Sequence, residues 1–193
     1  MDFEYKISTR SWGQLTDEQL FAFCQENRNL RFERTREGEI IIMSPTGGET
    51  GNRNIKIAAR LELWNEEARL GISFDSSTGF ILPNGAMRSP DVAWIILNRW
   101  QALSEEEKEK FPPLCPDFVI ELRSKTDSLK ILQKKMQEWI ENGCRLAWLM
   151  DVQDQKVYIY RPGKKVETLD SFNTKLSGGQ ILPGFELDLN ILK

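Results

Sequence analysis

The run from Asp117 to Arg123, D-F-V-I-E-L-R, constrains the fold more than any other segment. Side chains alternate along a strand, so Phe118, Ile120 and Leu122 share one face while Asp117, Val119, Glu121 and Arg123 share the other. A strand of this kind must lie against a core, and it carries Glu121 between two apolar residues, Ile120 and Leu122. Leu129–Asn142 then shows the spacing of an amphipathic helix stopped by Gly143, and Arg145–Met150 reads as a buried strand. Strand, helix and strand in close succession predict a mixed α/β protein.

The rest of the chain agrees with that class. Thr16 opens T-D-E-Q, a capping box with Gln19, ahead of a short helix over 17–27. Leu30–Ser44 reads as a hairpin, Thr46-Gly47-Gly48 as a loop, and Glu49–Leu70 as a long helix closed by Gly71. Strand-like runs follow at Ile72–Phe74, Thr78–Leu82 and Asp91–Leu97, with the turn signal Asn84-Gly85 between the last two. Ser104 opens a second capping box, on a charged helix ending before Phe111-Pro112-Pro113. Lys156–Arg161 and Val166–Leu169 predict a closing meander. With 193 residues and no linker or repeat, one domain over 1–193 is expected.

Composition narrows the chemistry. The chain has no histidine, which removes Ser-His-Asp and Cys-His catalysis and His-based zinc sites. Its three cysteines, Cys24, Cys115 and Cys144, are widely spaced, which excludes a cysteine-only zinc site and argues against a disulfide framework. A metal would therefore rest on Asp and Glu oxygens, favouring Mg²⁺, Mn²⁺ or Ca²⁺. A net charge of −3 disfavours a protein that coats nucleic acid nonspecifically but leaves room for a basic patch. No apolar run is long enough to span a bilayer, and MDFEYKISTR lacks a secretory apolar region, so a cytoplasmic protein without membrane partners is expected.

Candidate site residues cluster around the central strand. Glu121 and Arg123 project together near its end, and the run Asp91–Leu97 begins with an acid after Ser89-Pro90. If these strands pair, two carboxylates converge at one sheet edge, the minimum for holding a hard divalent cation. Taken singly, an Asp after Pro is common turn chemistry and a Glu beside an Arg is often an ion pair. Together they are more specific, because a mid-strand Glu between Ile120 and Leu122 is costly unless paired or metal-bound. On the following helix Ile131, Leu132, Met136, Trp139 and Ile140 form an apolar arc that includes Lys135 and leaves out Lys130 and Lys134. An inward lysine needs a carboxylate, a ligand or a path for snorkelling. Arg123, Lys125, Lys130, Lys134 and Lys135 face a single local anion, Asp127, a basic field suited to a phosphodiester. Glu49 stands at a helix N-terminus, where the dipole favours a carboxylate. TGGETGN lacks the Lys-Ser/Thr of a P-loop.

The segments MSPTGGETGNRN, RSPDVAWI and CPDFVIELRSKTDSLKILQKKMQEWIENGCRLAWLMD resemble the Uma-type putative restriction endonucleases, a bacterial family of the PD-(D/E)XK nuclease superfamily. The resemblance runs from about Asp17 to Pro183. It implies a restriction-endonuclease-like core, a mixed β-sheet flanked by helices with the site at one edge. It implies that Asp91 is the motif aspartate and Glu121 the (D/E), both holding Mg²⁺ or Mn²⁺. The motif lysine position is Arg123 here, and the resemblance implies that Lys135 replaces that lysine. Glu49 matches a helix-borne acidic position of the superfamily, completing a catalytic set of Asp91, Glu121, Lys135, Arg123 and Glu49. The implied activity is metal-dependent endonucleolytic hydrolysis of DNA. A noncatalytic DNA-binding or assembly module of the same fold is the alternative, since Arg cannot serve as a general base. A hydrolase of small phosphoesters fits the same carboxylates. A homodimer is compatible with cutting two strands.

Overall fold

In the computed structural model, which describes residues 5–9, 11 and 13–193, the apolar run becomes the interior of a six-stranded sheet. In chain order the first strands are β1 (Tyr5–Ile7), β2 (Arg31–Arg34), β3 (Ile40–Met43), β4 (Gly71–Asp75), β5 (Phe80–Ile81), β6 (Met87–Arg88) and β7 (Val92–Ile96). After them come β8 (Phe118–Arg123), β9 (Leu146–Asp151), β10 (Lys156–Tyr160), β11 (Glu167–Leu169), β12 (Lys175–Ser177) and β13 (Glu186–Asp188). The helices are α1 (Asp17–Glu26), α2 (Gly48–Ala68), α3 (Leu97–Gln101), α4 (Glu105–Glu109) and α5 (Leu129–Glu141), with a 3-10 turn at Leu189–Leu192.

The large sheet has the order β11-β10-β9-β8-β7-β4. Only β8 and β9 run parallel, and α5 joins them. A parallel pair needs such a crossover, and covering both faces explains why β8 and β9 read as nearly unbroken apolar runs. Phe118, Ile120 and Leu122 pack with Ile57 and Leu61 of α2 and with Phe185. Val119 faces the other way, onto Met136 and Trp139 of α5. Each of these fully buried side chains contributes roughly 1.5–3 kcal/mol of burial. A second sheet, β1-β3-β2-β6-β5, holds the N-terminal hairpin, and β12 and β13 form a separate pair.

Both capping boxes form, at Thr16–Gln19 and Ser104–Glu107. Several local expectations are corrected. The long helix is closed by Arg69, in the left-handed conformation at φ 53°, and not by Gly71. Gly71 opens β4 instead, where a Cβ would lie 2.2 Å from the Ile95 carbonyl and 2.4 Å from the Trp94 ring. The run Thr78–Leu82 shortens to Phe80–Ile81, and across Asn84-Gly85 it pairs with Met87–Arg88, in the second sheet, and not with Asp91–Leu97. Leu97 leaves the strand to begin α3. Ile131, placed in the apolar arc, is 40% exposed. β1, α3, β6, β12, β13 and the 3-10 turn have no counterpart in the sequence reading. Residues 1–4 and 10 of the N-terminal segment, read above for its lack of an apolar stretch, lie outside the described residues. Among the described residues no helix is long and apolar enough to cross a membrane.

Candidate active site

β7 and β8 pair antiparallel with Val92 opposite Ile120, which sets Asp91 one place beyond the last pair, in register with Glu121. Asp91 closes that ladder with its side chain: Oδ2 accepts the Leu122 N–H at 2.7 Å. Its Oδ1 accepts from Asn54 Nδ2 of α2, also at 2.7 Å. Asn54 Oδ1 is buried and accepts no hydrogen bond, so this amide is committed to holding Asp91 at a cost elsewhere. The N–H and C=O of a strand residue project to the same side, so the Leu122 carbonyl faces the Asp91 end too.

Glu121, 4% exposed, lies on the α5 face of the sheet. Two residues one helical turn apart reach its Oε1: the Trp139 indole N–H at 3.0 Å and the Lys135 ammonium at 2.9 Å. The spacing of α5 makes this possible, because positions four apart share a face. Lys135 Nζ also lies 2.8 Å from Glu33 Oε1 and 3.4 Å from the Ser89 carbonyl. Glu33 comes from β2, in the other sheet. Its Oε1 accepts the Ser89 N–H at 3.1 Å and its Oε2 pairs with Arg88 at 3.0 Å. Arg88 in turn binds Glu138 of α5 at 2.7 Å.

Buried Glu33 and Glu121 thus share Lys135, Arg88 also compensates Glu33, half-buried Asp91 lies nearby, and the titration of each group follows. Burial drives Glu121 upward more than Lys135 pulls it down, and with Asp91 and Glu33 nearby its carboxyl reaches about 7. Burial also raises Asp91, against the Leu122 hydrogen bond and the pull of Lys135. For Glu33 burial is outweighed by Lys135 and Arg88, and the carboxyl is held below its ordinary value. Burial disfavours the Lys135 ammonium, yet Glu121 and Glu33 more than reverse this and keep the proton on.

The structure therefore brings Asp91, Glu121 and Lys135 together. It turns Arg123 elsewhere: the guanidinium pairs with Asp151 at 2.7 Å and donates to the Asp127 carbonyl, bracing the β8–α5 connection. Glu49 lies on the cleft wall, its side chain 72% exposed and bound to Arg53 one turn along α2. Sequence reasoning missed Glu33, Arg88, Ser89 and Asn54. Trp139 was read only as apolar, although its place four residues after Lys135 carries the signal. Glu33 has no local signal, because the packing of one sheet on another brings it to Lys135.

Glu33, Arg88, Ser89, Asp91, Glu121 and Lys135 line a cleft of about 2030 Å³ whose walls come from both sheets, α2 and α5. Exposed Arg28, Arg31, Arg36, Lys125 and Lys134 line it as well. Among the described residues no three Asp, Glu or Cys side chains converge as a metal cage. Two carboxylates and a backbone carbonyl nevertheless match Mg²⁺, which takes one or two carboxylates and keeps much of its water.

A family model named Uma2, described as "Putative restriction endonuclease", matches residues 17–190. No curated protein matches the chain. The chain is similar to a solved structure, the crystal structure of a putative nuclease belonging to DUF820 from Anabaena variabilis. The TM-score is 0.73 at 19% identity, over 92% of this chain and 97% of that one. At that identity the likeness is one of fold, a mixed sheet flanked by helices in the restriction-endonuclease-like manner.

Proposed function

The chain belongs to the Uma2 family of putative restriction endonucleases, and from that membership we propose that it is a metal-dependent endonuclease hydrolysing DNA phosphodiester bonds. The observation that carries this reading is a nearly buried lysine, Lys135, 2.9 Å from Glu121 in a cleft that Asp91 and exposed cations also line. Asp91 and Glu121, with the Leu122 carbonyl, would hold Mg²⁺ or Mn²⁺. Bound there, it would supply a water of lowered pKa and neutralise charge on the scissile phosphate.

The chain's own groups do the rest. Lys135 keeps its proton between two carboxylates, so it acts as a charged hydrogen-bond donor that orients the attacking water or stabilises the phosphate oxygens, and not as a base. Asn54 and the Leu122 N–H fix the Asp91 carboxylate, and Trp139 fixes Glu121. Arg123 braces the strand end, and Glu49 contributes from the cleft wall. Exposed Lys125, Lys134 and Arg31 draw in the phosphodiester backbone.

Pure protein with Mn²⁺ is expected to nick supercoiled plasmid. Chelation and Asp91→Asn are each expected to abolish nicking. Absence of cleavage across Mg²⁺, Mn²⁺ and both single- and double-stranded DNA would overturn the proposal in favour of a noncatalytic binding module.

A further inference from the structure

We propose that Glu33 is the positioning residue of Lys135, holding the ammonium over the Asp91–Glu121 pair from the opposite sheet while that pair is engaged by a cation. This rests on the reading of the site as a metal-dependent nuclease.

The geometry sets up the requirement. Lys135 Nζ is nearly equidistant from Glu33 Oε1 and Glu121 Oε1, at 2.8 and 2.9 Å. A cation on Glu121 would weaken that carboxylate's hold on Lys135 and would itself repel the ammonium. Lysine has a flexible four-carbon stem and would swing away unless a second anion kept it. Glu33 is that anion. It lies in the same cleft, is 3% exposed, and does not bond to Asp91 or Glu121.

Glu33 is itself held on both oxygens, by the Ser89 N–H and by Arg88. Arg88 also grips Glu138, three residues after Lys135 on α5. The chain of contacts closes on itself, from α5 through Glu138, Arg88 and Glu33 back to Lys135. A buried glutamate in a short strand is costly unless fully paired, and this one is. The loop fixes the position of the ammonium relative to the helix that carries it, so Glu33 acts on the reaction through Lys135 and not by touching metal or substrate.

The test follows the Lys135 ammonium directly. Its protected ¹H–¹⁵N signal is assigned by its loss in Lys135→Met. In Glu33→Gln, which keeps side-chain shape, exchange of that ammonium with water should be several-fold faster in metal-free protein, and the signal should vanish on adding Mg²⁺. The native protein should retain it in both states. Plasmid-cleavage kcat should fall about tenfold or more with KM for DNA unchanged, since a misplaced group costs rate and not binding. Glu33→Asp, which keeps the charge, should recover part of the loss. Glu138→Gln loosens Glu33 from a distance and should give intermediate exchange, which guards against Glu33→Gln failing to fold. Unchanged ammonium exchange in Glu33→Gln and Glu138→Gln, or a change in KM with kcat intact, would overturn the proposal. If the native protein cuts no DNA the nuclease reading fails, while the metal-free ammonium signal still decides the role of Glu33.

Discussion

Replacing Lys135 by Met tests how the site is held together before any chemistry. The lysine side chain is 13% exposed and pairs with both Glu121 and Glu33. Methionine fills much of the same volume, so the change removes charge and leaves little void. Breaking a buried pair by removing one partner costs about 3–5 kcal/mol. Arg88 still compensates Glu33, so the lower figure applies, about 3 kcal/mol at pH 8. For a chain of this size that is a fall in Tm of roughly 6–12 °C. The loss must depend on pH in a stated direction. The native Glu121 carboxyl titrates at about 7 and loses its main downward pull with Lys135. In the variant it therefore takes up a proton more readily still and no longer needs a partner, and at pH 5.5 the deficit should shrink to less than half. Lys134, the exposed neighbour, serves as the control, and Lys134→Met should change stability by no more than about 0.5 kcal/mol. Thermal melts by circular dichroism at the two pH values suffice. Equal losses for the two variants, or a Lys135→Met deficit independent of pH, would refute the reasoning.

Glu121→Gln removes a carboxyl whose folded value lies above its ordinary 4.5. The native state holds that proton longer than the unfolded state, so its stability falls as pH rises from about 4.5 to about 7. The variant should lose this slope and be more stable than native above pH 7, by about 1–3 kcal/mol in melts, and calorimetry should find it unable to bind Mn²⁺. Gly71→Ala puts a Cβ against the Ile95 carbonyl and the Trp94 ring, neither of which can yield cheaply. Denaturant melts should show a loss of about 3 kcal/mol or more. Lys125→Ala with Lys134→Ala should weaken DNA binding uniformly across sequences and lower the salt slope by about 2, measured by fluorescence anisotropy.

The central strand, its following helix and the next strand were legible because their patterns are long and bounded: an alternating apolar run, a 3.6-residue arc and a Gly stop. Both capping boxes were legible because they need only local chemistry. Two-residue strands such as Phe80–Ile81 and Met87–Arg88 show no periodicity, and their sheet is chosen by tertiary packing. The helix end misled for a similar reason. Gly71 looks like a terminator, but its lack of a side chain serves the close approach of β4 to Trp94. Asp91, Glu121 and Lys135 were each visible from strand position or helix phase. Glu33 and Arg88 were not, since they reach the site from another sheet and no spacing along the chain encodes that juxtaposition.

The account turns on whether Asp91 and Glu121 together hold a divalent cation. Crystals soaked in Mn²⁺ and measured at the manganese edge answer this directly. An anomalous peak between the two carboxylates, within bonding reach of the Leu122 carbonyl and lost in Glu121→Gln crystals, is the predicted result. No peak there at a Mn²⁺ concentration that supports plasmid cleavage, or a peak bound to other residues, would contradict it.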